Sequence, residues 1–255
     1  MSPERLASAS RMVVFFDVGG TLLDVSPSIG HVYAGACAER GARVEPSDIQ
    51  IAFDNAWVAL SAEVPRGADR YSMLPGGEEE WWERISSKAF ELCGVAAEHR
   101  PAVADLRAMF ARREAWRIYP ETRAVLKGLQ ARGLRLGVIS NWDSRLPALL
   151  ASLDLSAHFE TLVYSAAAGF EKPHPAIFKS ALAAFGVDPA HAVHVGDRLE
   201  EDYAGARAAG LNALLVRREP VGPDLRDGVR LWGDERDLVA DLSAAGERIM
   251  ELAAR

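Results

Sequence analysis

The feature that most constrains this chain is a series of short apolar runs, each ending on a polar residue or a glycine. "RMVVFFD", residues 11–17, closes on an acid and is followed by Gly19 and Gly20. A continuous apolar run of this length, bounded by glycines, predicts a strand buried on both faces. Similar runs follow at "LRLGVISN" (134–141), "TLVYS" (161–165), "AVHVGD" (192–197) and "ALLV" (213–216). Helical patterns separate them. "PETRAVLKGLQARG" places Pro120 near a helix start and Gly133 at its C-cap. "SRLPALLASLDL", "PAIFKSALAAFG" and "DYAGARAAG" follow, the last two closed by Gly186 and Gly210. Alternation of this kind builds an α/β, doubly wound parallel sheet with helices on both faces.

The first strand breaks the alternation. More than a hundred residues separate Asp17 from the second run, too many for a simple crossover. Four helical stretches fill the gap: "IGHVYAGACAERG", "IQIAFDNAWVALSAEV", "EEEWWERISSKAFELCG" and "AVADLRAMFARREAW". Residues 26–114 are therefore predicted to form an inserted all-helical domain, and residues 1–25 with 115–255 a discontinuous core. "RGADRYSMLPGG" (66–77) reads as a turn-rich loop of the insert, and Trp81 and Trp82 as its packing. "ERDLVADLSAAGERIMELAAR" reads as a final amphipathic helix on the core.

Composition removes several function classes. The formal charge is -7 and the 29 basic residues are spread along the chain, which disfavours nucleic acid as a partner. A local basic pocket for a small anionic molecule remains open. Cys37 and Cys93 match no metal or redox spacing and read as reduced thiols. "MSPERLASAS" lacks an apolar signal core, and no run reaches the roughly 20 apolar residues of a membrane span. The expectation is a cytoplasmic protein with no membrane partner; nothing indicates its oligomeric state.

In a doubly wound sheet, ligands sit beyond the carboxyl ends of the strands. The polar residues collect there: Asp17 and Thr21 after the first strand, Ser140 and Asn141 after the second, Lys172 in "FEKPHP" after the third, Asp197 and Asp202 in "GDRLEED" after the fourth. Each alone is an ordinary cap or turn. Together, and in order at one sheet edge, they form a constellation. Three carboxylates in one cleft repel unless a cation neutralises them, and an all-oxygen set suits Mg²⁺. Asp17 can attack phosphorus as a carboxylate nucleophile. Ser140 and Lys172 can hold the transferring oxygens, and the amides of Gly19 and Gly20 can join them.

With "DVGGT", "SN", the lysine of "EKPHP" and "GDRLEED" all present, the sequence resembles the haloacid dehalogenase (HAD) superfamily of hydrolases with a helical cap inserted after the first motif. The resemblance spans nearly the whole chain. It implies a Rossmann-like core, a mobile cap, Mg²⁺ as cofactor and a small phosphorylated molecule as substrate. It implies Asp17 as nucleophile and metal ligand, the Gly19 carbonyl and Asp197 as further ligands, and Asp202 supporting the metal or Lys172. It implies that Thr21, Ser140, Asn141 and Lys172 organise the phosphate.

One position departs from the family pattern. HAD phosphatases usually read Asp-x-Asp-x-Thr, and the second Asp serves as acid and base. Here it is Gly19. General acid–base help is typically worth ~10²–10⁴-fold, so alkyl phosphates should suffer most and aryl or acyl phosphates least. Restoring the acid by Gly19→Asp is expected to raise alkyl-phosphate turnover if nothing else is missing. Asp69, Arg70, Tyr71 and His31 are weak candidates to replace it. A phosphatase acting through an aspartyl-phosphate is the leading expectation. A weak phosphate- and Mg²⁺-binding or regulatory protein is the alternative. A dehalogenase, which needs no metal, and a phosphonatase, which needs a cap lysine where only Lys88 stands, fit less well.

Overall fold

The computed structural model describes residues 12–219, 228–231 and 233–254. The stretch expected to lack a signal core falls before Met12, outside the described residues. The chain divides into two compact units: residues up to Asp24 with those from Ile118 onward, and Val25–Arg117.

The first unit is built on a six-stranded sheet in the order β5-β4-β1-β6-β7-β8: Thr161–Tyr164, Arg135–Ser140, Val13–Phe16, Ala192–Gly196, Asn212–Val216 and Leu238–Val239. Every pairing is parallel. All four residues of β1 are buried, which is why its sequence is apolar without alternation. Phe15 sets its ring edge-on to Phe185 at 5.2 Å, within a core that includes Ile139, Ile177 and Phe178. From β1 the chain moves to β4 and β5 on one side, then to β6, β7 and β8 on the other. This reversal is the switch point at which doubly wound sheets bind ligands. Phe16 aligns with Val138 of β4 and Val195 of β6, so the three strands end side by side.

Two elements differ from expectation. The two-residue β8 is too short to leave a pattern. "DYAGARAAG" does not form one regular helix: Leu199–Ala204 make a π-helical turn, and only Gly205–Ala208 are α-helical. The final helix, Leu242–Ala253, buries Leu242, Ala245 and Ile249.

The second unit carries four α-helices, Ile29–Ala38, Pro46–Ser61, Gly77–Leu92 and Val103–Phe110. Tyr33, Phe53, Trp57 and Trp81 form a chain of ring contacts through it. The chain crossings Leu23–Val25 (β2) and Trp116–Ile118 (β3) pair as a two-stranded sheet. Among the described residues no helix is long and apolar enough to cross a membrane.

Candidate active site

The site begins where β1 ends. The Asp17 N–H donates to Val195 O (2.9 Å), which carries the ladder one residue past the strand and sets Asp17 beside the end of β6. The chain then turns sharply: the amides of Thr21, Leu22 and Leu23 converge on the Val18 carbonyl at 3.3, 2.9 and 3.1 Å. Gly20 sits at φ +76°, and a Cβ there would lie 2.6 Å from the Asp197 carboxylate. Only glycine meets both demands.

Lys172 is the centre of the polar network. Its ammonium donates to Asp17 Oδ1 (2.7 Å), Asp202 Oδ1 (2.5 Å) and the Ile139 carbonyl (3.0 Å), so its three protons have three acceptors. Burial favours losing the proton, but Asp17 and Asp202 outweigh burial and raise Lys172 above the ordinary lysine range. Ser140 Oγ donates to the same Asp17 oxygen at 2.8 Å. The Lys172 loop is held by Asn141, whose Oδ1 accepts the Lys172 N–H (2.7 Å) and whose Nδ2 donates to the Lys172 carbonyl (3.0 Å).

Asp202 is fully buried. Burial alone would raise its pKa, but Lys172 and His194 hold it below the usual carboxylate range. Its Oδ1 also faces His194 Nε2 at 2.9 Å, and its Oδ2 accepts the Arg198 N–H at 2.9 Å. An ionised carboxylate only accepts, so His194 carries its proton on Nε2. Burial pushes the His194 pKa down, which keeps the ring neutral. The π-helical turn follows from this anchoring: Asp202 bends back to Arg198 N while its other oxygen reaches Lys172. Asp202 also crosses Gly196, where a Cβ would lie 2.1 Å from its Cγ.

Asp17, Asp197 and Asp202 each bring one oxygen within 4.8 Å of the others. Burial and the charges of Asp17 and Asp202 push Asp197 up to about 7. Three carboxylates face one ammonium, a surplus of negative charge that a cation would relieve.

The structure thus brings Asp17, Ser140, Lys172, Asp197 and Asp202 together. Three expected phosphate contacts hold other positions. The Gly20 N–H donates to Leu23 O (2.8 Å) within the turn. Thr21 is fully buried, and its hydroxyl donates to Asp197 Oδ1 (3.3 Å), so it positions that carboxylate. Asn141 clamps the Lys172 backbone at both ends of its amide. The tight turn and the loop closure demand these bonds first.

Three of the weak candidates make contacts within the second unit. Asp69 Oδ2 accepts the Ser72 N–H at 2.9 Å, which closes a turn. The Arg70 guanidinium lies over the rings of Trp57 and Trp81 at 4.5 and 5.1 Å. His31 Nδ1 meets the capping Ser28 hydroxyl at 2.9 Å.

Three residues were not found by sequence reasoning. Arg218 donates to the carbonyls of Gly20 and Thr21 (both 3.1 Å) and to Glu121 (2.7 Å), bracing the turn after β1. His194, in the middle of "AVHVGD", was a visible polar interruption of an apolar strand. Trp142 follows the Ser140-Asn141 pair, and its ring lies against Gly19: a Cβ on Gly19 would meet Trp142 Cζ3 at 3.2 Å.

Residues 12–210 match the family of haloacid dehalogenase-like hydrolases, and the chain belongs to it. Among curated relatives it is 36% identical to the human haloacid dehalogenase-like hydrolase domain-containing protein 3 over 217 residues, 84% of this chain and 83% of that protein. It is also 36% identical over 159 residues to a phosphoserine phosphatase of Thermus thermophilus, 61% of this chain and 63% of that one. Among solved structures, the L-2-haloacid dehalogenase RSc1362 superposes with a TM-score of 0.67 at 22% identity, covering 93% of this chain and 98% of that one. At that identity the likeness speaks for the fold alone.

Proposed function

We propose that the chain is a Mg²⁺-dependent phosphohydrolase acting on a small phosphorylated molecule through an aspartyl-phosphate on Asp17. The observation that carries this reading is the convergence of Ser140 Oγ (2.8 Å) and Lys172 Nζ (2.7 Å) on one oxygen of Asp17. The two donors fix the Asp17 carboxylate, so a phosphoryl group transferred to it arrives beside a hydroxyl and an ammonium that can hold its oxygens. Asp17 attacks phosphorus, the bond to the leaving oxygen breaks, and water then cleaves the acyl phosphate.

The donor set suits Mg²⁺: hard oxygens, with Asp197 pushed up to about 7 by burial and two neighbouring carboxylates. Asp17, Asp197 and the Gly19 carbonyl would hold the ion, which supplies positive charge against the phosphate oxygens. Asp202 lies in the same cluster, but Oδ1 already accepts from Lys172 and His194 and Oδ2 from Arg198 N. We assign it to holding Lys172. The acidic set supports phosphate over halide chemistry, as does the similarity to a phosphoserine phosphatase. The net charge of -7 supports a small-molecule partner over nucleic acid, and a cytoplasmic location is part of the same reading.

The absence of a carboxylate at Gly19 favours a second reading, a weakly active protein that binds phosphate and Mg²⁺. The two separate on one assay. The phosphohydrolase releases phosphate from acetyl phosphate or p-nitrophenyl phosphate only with Mg²⁺, and Asp17→Asn lowers the rate by ~10³-fold or more. If neither compound is turned over while Mg²⁺ and phosphate still bind, the second reading stands.

A further inference from the structure

We propose that Trp142 sets the leaving-group specificity of this site, an inference that rests on the phosphohydrolase reading above. The indole stands against Gly19, where the second carboxylate of the family's Asp-x-Asp-x-Thr pattern would begin. A Cβ on Gly19 would already lie 3.2 Å from Cζ3 and 3.9 Å from Cη2. At 3.2 Å the ring edge already has to give by a few tenths of an ångström for a bare Cβ, before any carboxylate is added.

The ring cannot withdraw with its backbone. The Trp142 N–H donates to Ser165 Oγ (3.1 Å), and the Trp142 carbonyl accepts from Ser165 Oγ (3.1 Å) and Ala166 N (3.2 Å). The flanking residues are held as well: Asn141 bonds the Lys172 backbone, and Asp143 is fully buried and paired with Arg145. Only a side-chain rotation clears the space.

The chemical consequence follows from what an indole lacks. Its N–H is a hydrogen-bond donor only and cannot protonate a departing alkoxide. The half-buried ring also covers the side of Gly19 from which an acid would act. Leaving groups therefore depart as anions. Acyl and aryl phosphates tolerate this; alkyl phosphates do not. Gly19 and Trp142 act as a pair, so restoring the acid alone is not sufficient.

The test measures kcat/KM for acetyl phosphate, aryl phosphates of increasing leaving-group pKa, and glycerol 2-phosphate. The proteins are the wild type, Gly19→Asp, Trp142→Ala and the Gly19→Asp/Trp142→Ala double variant. The wild type should fall steeply as leaving-group pKa rises. Gly19→Asp alone should change glycerol 2-phosphate turnover by less than about 10-fold, while the double variant raises it by ~10²-fold or more and flattens the slope. A single Gly19→Asp variant that matches the double one, or a double variant no better than the single, overturns the proposal. No turnover of acetyl phosphate by the wild type removes the phosphohydrolase reading and this inference with it. Packing has its own readout: Gly19→Ala should lower Tm by about 2–6 °C, and by little in a Trp142→Ala background. Equal losses in both backgrounds overturn the proposal whatever the activities show.

Discussion

Lys172 shows how much of the site rests on one residue type. A buried carboxylate pair facing no cation is costly, and here the cation is a single ammonium with all three protons accepted. Lys172→Met keeps the bulk and removes the charge, leaving Asp17 and Asp202 opposed. The expected loss is about 3–5 kcal/mol of stability without added metal, read as a lower urea midpoint. An unchanged midpoint would mean that the two carboxylates do not depend on Lys172. Asp17 and Lys172 were legible in the sequence because charged residues beside apolar strands need a reason to be there. Thr21 and Asn141 were legible as site residues, but not in their jobs. Hydroxyls and amides bond many partners, and their choice depends on which groups the fold leaves nearby.

At the scale of elements, the end of β6 and the π-helical turn after it form one device. Gly196 leaves room for Asp202 to cross the strand end, and Asp202 holds both Arg198 N and Lys172. Gly196→Ala places a methyl 2.1 Å from Asp202 Cγ, so the carboxylate has to move. Phosphate release should fall by roughly 10²-fold, because a misaligned Lys172 no longer meets the transferring oxygens. A variant of undiminished rate would show that Asp202 does not align Lys172. The glycine was visible in "HVGD", but its reason was not, since the atom that needs the space is six residues further along. For the same reason "DYAGARAAG" reads as plain helix: periodicity reports the buried face and says nothing of a carboxylate pulled out of register by a distant lysine.

At the scale of the whole molecule, the sheet order brings like charges together and makes binding depend on pH. Asp197 is raised to about 7, above the roughly 3.9 of an unfolded aspartate. Between those values the folded state holds a proton that the unfolded state has lost. The contribution of Asp197 to the stability of the metal-free protein should therefore fall as pH rises from about 4 to 7 and then level off, against an opposite contribution from the buried neutral His194 below about 6.5. On the proposed reading, Mg²⁺ at Asp197 would have to displace the same proton, so its affinity should climb with pH up to about 7 and flatten above. Titration calorimetry across pH 5–9 checks this; a pH-independent affinity would remove Asp197 from the metal site. The parallel α/β core, the helical stretch after β1 and the cluster of polar residues at the strand ends were all determined by sequence alone. Each rests on local periodicity, or on charged groups that cannot be buried without partners. What stands against Gly19, which oxygens Asp202 has left, and where Thr21 and Asn141 direct their hydrogen bonds were decided only by tertiary structure. Those depend on contacts between different strand ends and loops, some, such as Thr21 with Asp197 and Gly19 with Trp142, more than a hundred positions apart, which close only when β1, β4 and β6 lie side by side.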